Sequence, residues 1–519
     1  MKSSFIIIYL ILINLYQSFY AEILPVKWGR VNKEDFDPEM LENFKTKSAV
    51  VVCDYGRITF SNRTFYYRYK RIKINSKDGL KYAKIEIPYF YFNNYDDFLM
   101  LKVNLYLLEN GTIKKIKYDN DDFEDIIIDE HRKIKVLNIK AATENCIIEY
   151  KYEIASLDLV KLRDWYFQSE IPTLWSGVEV NVPFPMTYLV TLKKYEYLDD
   201  EEQIKCSKNI EWLKNTNSIK SRLILEKNNF ILYESPSSNY KVFVLNNRSK
   251  FILMKNLDGI DNVEGFVSIK DYYPRVSFDL FEITGYFPWL FKALLYTTYE
   301  DYIFYSWKDY ILDYPHKGYI IYRLKNWDEF NKDLLQSKFF GGYFNKKFDC
   351  SNIFSEICKD TVSFSQREKM ILIYNYLVNK IKWTGNFKMY PFKSPDKLFD
   401  DGIGHSGDLN MFYIYLLNKI GIQAYPLLIR TNDLGKPEKI FPVHGQFNHV
   451  IAYVVVEGNV YLIDLTNYSK EWNKLPEYDL NTLGWKVHPR DYGWIDISLY
   501  EDEQHKDKFL FVNKPFINY

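Results

Sequence analysis

The 519-residue sequence predicts a multidomain protein, with a mainly antiparallel β-sandwich amino-terminal region followed by an α+β region. Three observations carry that prediction. The length exceeds what one hydrophobic core serves and fits roughly two to four domains. From residue 45 to about 200, short runs rich in β-branched and aromatic residues alternate with Asn- and Gly-containing turns. Beyond Ser365 the apolar pattern switches to that of capped helices, and then to a hairpin.

Taken in order, the chain opens with Lys2 and an apolar run from Phe5 to Leu15, followed by Gln17-Ser18-Phe19-Tyr20-Ala21-Glu22. That is the form of a signal peptide covering residues 1–21, too short for a comfortable membrane span. Export is therefore expected, with no transmembrane span after signal removal. No cysteine follows the apolar run, so a lipid anchor has no support. Strands are expected at 57–60, 65–74, 82–87, 99–107 and 146–154, separated by pairs such as Asn93-Asn94 and Asn110-Gly111. They define a β-sandwich domain at 45–200. A charged stretch at 199–220 marks a boundary, and residues 201–345 continue the β-rich region through Phe243-Val244-Leu245 and Phe251-Ile252-Leu253. The aromatic segment 287–307 reads as a connecting helix or irregular packing, since Lys292, Glu300 and Asp301 argue against a membrane span.

The α+β domain is placed at 346–485, with a tail at 486–519. Ser365 and Glu368 form a capping box, in which each side chain satisfies the other's backbone N–H. Ile371, Tyr374, Leu377, Val378 and Ile381 then supply one apolar helical face. A second helix follows Gly404-His405-Ser406-Gly407-Asp408-Leu409-Asn410, with Gly421 as its left-handed stop, and residues 424–429 read as a strand. Residues 450–463 form a hairpin through Glu457-Gly458-Asn459. Side chains alternate along a strand, so a two- or four-residue loop places His449 and Asp464 on one face of the pair.

Composition narrows the function. Hydrophobic residues make up 47%, which supports packed cores rather than disorder. Lys plus Arg and Asp plus Glu balance at 68 each, so no global field favours nucleic acid, and none is expected as a partner. The 46 tyrosines run through the whole chain, a bias better explained by AT-rich codons than by a sugar-binding platform. Of the five cysteines, only Cys350 and Cys358 lie close enough in sequence to close a small loop. The favoured reading makes all five small buried hydrophobes. There is no phosphate-binding glycine loop, nucleophile elbow or paired-cysteine zinc pattern. His405, His444 and His449, with Asp408 or Asp464, match no ligand signature, so neither a metal nor a cofactor is expected.

Two readings of Ser406 compete. As a helix cap, its hydroxyl accepts a hydrogen bond from the first turn. As a nucleophile, it needs His449 as general base, Asp464 to orient the imidazole, and an oxyanion hole. Serine cannot exploit a helix N-terminus as a cysteine thiolate does, because its hydroxyl is a far weaker acid.

The order of the Ser406 helix, Asn448-His449-Val450 and Ile463-Asp464-Leu465 resembles the core of the transglutaminase-like superfamily, with serine in the cysteine position. The resemblance extends over roughly residues 45 to 485, where Asp54-Tyr55-Gly56, Arg163-Asp164-Trp165-Tyr166, Phe266-Val267-Ser268 and Trp327-Asp328-Glu329-Phe330 look like segments of bacterial secreted proteins that carry a domain of unknown function ahead of a transglutaminase-like, papain-like core. Longer relatives continue into another β-rich domain, expected to be absent or reduced here. The resemblance implies an exported protein, periplasmic, outer-membrane associated or extracellular. It implies a degenerate, non-catalytic cleft that binds or scaffolds a peptide, protein or glycan of the cell envelope. The alternative is an acyl-transfer enzyme that uses Ser406, His449 and Asp464 as its triad.

Overall fold

A computed structural model describes residues 24–193 and 326–497 apart from short breaks, together with 233–235, 240–259, 273, 275–285 and 320–323. The signal peptide, the charged stretch 199–220, the aromatic segment 287–307, Cys206, Cys358, His444 and the residues after 497 lie outside the described residues. The chain is strand-rich, with several sheets and a helical carboxy-terminal region, and it divides into two compact units near residues 262–297.

In the amino-terminal unit the strands are β1 (Ala49–Phe60), β2 (Thr64–Ile74), β3 (Lys84–Phe90), β4 (Asp96–Glu109), β5 (Thr112–Asp119), β6 (Glu124–Ile127), β7 (Arg132–Asn138), β8 (Cys146–Ser156), β9 (Trp165–Tyr166), β10 (Thr173–Lys193), β11 (Tyr233–Ser235), β12 (Tyr240–Leu257) and β13 (Arg275–Gly285). The large sheet runs β11-β12-β10-β1-β2-β8-β4-β5, and a second sheet runs β3-β7-β6. Asn110 and Gly111 both take positive φ, the conformation a tight β4–β5 hairpin demands. Each expected strand forms, and the two segments read apart at 243–245 and 251–253 are one strand, β12. Pairing is antiparallel along the sheet except between β1 and β10, which run parallel.

Alternation along the strands gives the large sheet two apolar faces. One, with Val51, Ile72, Ile74, Val103, Leu105 and Ile148, packs against Ile85, Ile87 and Leu137 of the small sheet. On the other, Leu24, Val26 and Trp28 cover Cys53, Tyr55, Tyr69 and Trp175. The buried Glu149 carboxylate pins this cover, accepting from Gly29 N at 3.0 Å, Tyr69 Oη at 3.0 Å, Tyr106 Oη at 2.9 Å and Arg71 Nε at 3.1 Å. Two of the sequence motifs meet on the sheet face opposite this cover. Asp54 pairs with Arg68 at 2.6 Å, and Arg68 lies 4.7 Å over the Trp165 ring. A Cβ on Gly56 would come within 2.4 Å of that ring, so only glycine lets the indole rest on the sheet. Cys53, Cys146 and Cys350 are buried and unpaired, as small hydrophobes would be.

The carboxy-terminal unit includes a short strand β14 (Ile320–Arg323) and helices α1 (Trp327–Gln336), α2 (Ser351–Ile357), α3 (Gln366–Lys380), α4 (Pro395–Asp401) and α5 (Ser406–Lys419). Its strands are β15 (Lys382–Trp383), β16 (Ile403–Gly404), β17 (Gln423–Ile429), β18 (His449–Val456), β19 (Asn459–Ile463), β20 (Leu483–Lys486) and β21 (Gly493–Asp496). The expected capping box starts α3, where Ser365 Oγ accepts from Glu368 N at 3.2 Å and Glu368 Oε2 accepts from Ser365 N at 2.8 Å. The five-stranded sheet runs β19-β18-β17-β20-β21, so it continues past residue 485 into β21. Trp485 and Trp494 there pack on Trp327, at ring separations of 4.5 and 4.8 Å.

Helix α5 lies in the middle of this unit. Every residue from Ser406 to Leu417 is buried, with Leu409, Phe412 and Leu416 in the same core as Leu428, Val450, Ala452, Val454 and Ile463 of the sheet. The opposite sheet face buries Leu427, Ile429, Ile451 and Leu462. The β18–β19 hairpin has the two-residue loop Glu457-Gly458, both at positive φ, which fixes the strands' parity. Among the described residues, no helix is long and apolar enough to cross a membrane.

Candidate functional site

Helix α5 begins one residue earlier than a Ser406 cap would require. His405 occupies the extended cap position, and Ser406 is the first helical residue. The capping role belongs to Asp408, whose carboxylate accepts from His405 N at 3.0 Å, Phe392 N at 2.6 Å and Lys393 N at 2.8 Å. Burial pushes the Asp408 carboxyl above its ordinary value, and these N–H donors pull against that push.

The short parallel pairing of β15 with β16 carries the chain from Trp383 directly over the start of α5. Ser406 N donates to Asn386 O at 3.1 Å. The Ser406 hydroxyl accepts from Lys388 N at 2.8 Å and donates to Lys388 O at 3.1 Å. A Cβ on Gly407 would meet Tyr390 O at 2.3 Å, so segment 386–392 lies in backbone contact with the first turn. Ser406 is wholly buried under it.

His449 opens β18, opposite Ile429 of β17, and is also wholly buried. The hairpin parity brings it to Asp464, with Nε2 3.4 Å from Asp464 Oδ2. Asp479, on the 3-10 turn Glu477–Asp479, approaches the same nitrogen, its Oδ1 also 3.4 Å away. Neither ring nitrogen of His449 and neither carboxyl oxygen of Asp479 makes a hydrogen bond. The ring of Phe387 lies 5.0 Å from that of His449, and Tyr478 lies 4.8 Å from Phe387, so aromatic side chains roof the imidazole.

Asn410 connects the two halves. Its Nδ2 donates to Asp464 Oδ1 at 2.7 Å and to Ser406 O at 3.2 Å, while its Oδ1 accepts from Leu465 N at 3.0 Å. Asp464 also accepts from Thr466 N at 3.1 Å and from the Thr466 hydroxyl. Burial alone would raise the Asp464 carboxyl, but His449, Thr466 and Asn410 outweigh it and hold it below the usual carboxylate range. Asp479 has no such donors, and burial followed by the nearby Asp464 charge pushes it well above.

Of the sequence-derived candidates, the structure brings His449 and Asp464 together and places the Ser406 hydroxyl on the Lys388 main chain. His405 faces elsewhere, 3.1 Å from Thr384 Oγ1 and against the Phe392 ring. Asp479, Asn410 and Phe387 carry no role in the sequence reading. Asn410 had a signal, as a polar residue one helical turn beyond Ser406 in an otherwise apolar run. Asp479 had none, since Pro476-Glu477-Tyr478-Asp479 reads as an ordinary polar turn.

No family model matches the chain, and no curated protein matches it. Among solved structures, it is similar to a "putative protease" from Parabacteroides distasonis, with a TM-score of 0.46 and 11% identity over 81% of this chain and 70% of that one. A yeast LTA4 hydrolase structure matches at a TM-score of 0.19 and 8% identity, over 46% of this chain and 30% of that one.

Proposed function

We propose that the carboxy-terminal unit is a transglutaminase-like domain without acyl-transfer chemistry, in an exported protein that binds or scaffolds a peptide, protein or glycan of the cell envelope. One observation carries the non-catalytic part. The Ser406 hydroxyl gives its proton to Lys388 O and accepts from Lys388 N. A serine nucleophile must instead give that proton to an imidazole nitrogen during attack. The nitrogen of His449 nearest an acid, Nε2, faces two carboxyl groups, and Phe387 covers the ring. A substrate carbonyl would have to displace segment 386–392 before reaching Ser406. The order of helix, histidine strand and aspartate supports the superfamily reading, and the amino-terminal apolar run supports export.

The test is labelling of the purified mature protein with a panel of fluorophosphonate serine probes, comparing wild type with Ser406→Ala. No labelling at residue 406 is expected. Labelling of wild type that disappears in Ser406→Ala would establish the acyl-transfer alternative. The binding part is tested by co-sedimentation with purified cell-wall glycan and by peptide arrays. Binding to one of these that is unchanged in Ser406→Ala is expected, and binding to none would remove the scaffold reading.

A further inference from the structure

The strongest unexplained feature is the group formed by His449, Asp464 and Asp479. One ligand atom from each lies within 4.8 Å of the others. All three side chains are fully buried. Both ring nitrogens of His449 and both oxygens of Asp479 lack hydrogen-bond partners. A buried polar atom left without a partner costs about 1–3 kcal/mol, and an ion held between Nε2 and Asp479 would give a partner to atoms on both side chains. A proton on Nε2 does not answer the need, because two oxygens at the same 3.4 Å compete for it and neither is within good hydrogen-bond range.

We propose that His449, Asp464 and Asp479 bind one divalent metal ion of the zinc type, as a buried structural site. The spacing fits. Metal–ligand bonds of about 2.0–2.2 Å in a tetrahedron separate neighbouring ligand atoms by about 3.3–3.6 Å, and Nε2 lies 3.4 Å from an oxygen of each aspartate. One imidazole and two carboxylates are a nitrogen–oxygen donor set suited to zinc or manganese, and without thiolate they are a poor host for soft copper. Two carboxylates neutralise the doubly charged ion, which lets the whole group stay out of water. Asp464 is oriented by Asn410 and Thr466, the kind of outer support that ligating carboxylates receive. Enclosure beneath Phe387 and Tyr478 assigns the ion to structure. It ties the 477–479 turn, which belongs to no backbone ladder, to the open end of the β18–β19 hairpin. This inference does not depend on whether Ser406 is reactive.

The experiment uses the full mature chain. Elemental analysis after purification should give about one zinc or manganese per molecule. A chelator should remove it and lower the thermal midpoint, and added zinc chloride or manganese chloride should restore it. Asp479→Asn keeps the shape and removes one ligand charge. It should fold by circular dichroism, bind zinc at least about 100-fold more weakly, and lose the chelator-sensitive shift. His449→Gln should behave the same way and guards against a variant-specific folding defect. Wild-type protein that carries no metal and gains no stability from either ion would overturn the proposal. So would metal retained equally in both variants.

Discussion

Replacing Asn410 with alanine tests whether the site is a structural keystone. The side chain makes three hydrogen bonds in a fully buried setting, to Asp464, Leu465 N and Ser406 O. The bond to the Asp464 carboxylate contributes about 1.5–3 kcal/mol, and leaving the buried Leu465 N–H without an acceptor costs about 1–3 kcal/mol. Ser406 O keeps its helical environment and adds little. The expected loss is therefore about 3–5 kcal/mol, a fall of about 8–15 °C in the midpoint of a unit this size. Asn418, two turns along the same helix, is a suitable control. It also bridges helix to strand, through Ala424 N at 3.2 Å and Ala424 O at 2.9 Å, but its residue is exposed and water can replace its bonds. Asn418→Ala should cost no more than about 1 kcal/mol. Urea unfolding followed by tryptophan fluorescence resolves the two. An Asn410→Ala loss below about 1 kcal/mol, or one equal to the control, would refute the reasoning.

Three further expectations follow from the same contacts. Ser406→Cys should not create a reactive thiol, since burial raises a thiol's pKa and His449 is turned to the acids; iodoacetamide modification mapped to residue 406 by mass spectrometry should run at least about 100-fold slower in native than in unfolded protein. Gly407→Ala should cost about 3 kcal/mol by forcing segment 386–392 off the helix, because its Cβ meets backbone at 2.3 Å, and a near-neutral denaturation midpoint would contradict that contact. Lys73, whose Nζ donates to Asp35 O at 3.0 Å, has its pKa lowered by burial from 10.5 to about 8. Between those values the unfolded chain holds a proton that the folded chain has lost, so the wild type gains stability as pH rises. Lys73→Met should therefore be stabilised relative to wild type more at pH 7 than at pH 10, and an advantage independent of pH would sink the argument.

Local signals were readable where chemistry is local. The Ser365–Glu368 box, the Asn110-Gly111 turn and the two-residue hairpin loop each depend on residues a few positions apart. The last of these sufficed to put His449 and Asp464 on one face. Strand β10 was missed because Gly177, Pro183 and Pro185 punctuate it like a loop. Tertiary pairing overrides that signal, with β1 and β12 along its first half and β12 and β13 along its second. The pairing with β12 slips between Val182 and Thr187, where the prolines fall. The cap at Ser406 was misplaced by one residue, because Asp408 recruits N–H groups from a loop that no helix-capping rule includes. Asp479 joins His449 only through the fold, and nothing adjacent to it in sequence announces that.

The parallel pairing of β1 with β10 has a consequence for how the chain reaches its fold. Val51 must find Thr173, roughly 120 residues later, whereas β1 and β2 meet through a tight hairpin. Until β10 has emerged and docked, the β1–β2 pair presents one open row of N–H and C=O groups along a strand destined for the centre of the sheet. Closure of so long a loop is slow, on the order of milliseconds to seconds for sheets dominated by distant contacts. The amino-terminal unit therefore passes through a period in which its central strand can pair with another molecule as readily as with its own. The outcome at that moment depends on protein concentration rather than on final stability.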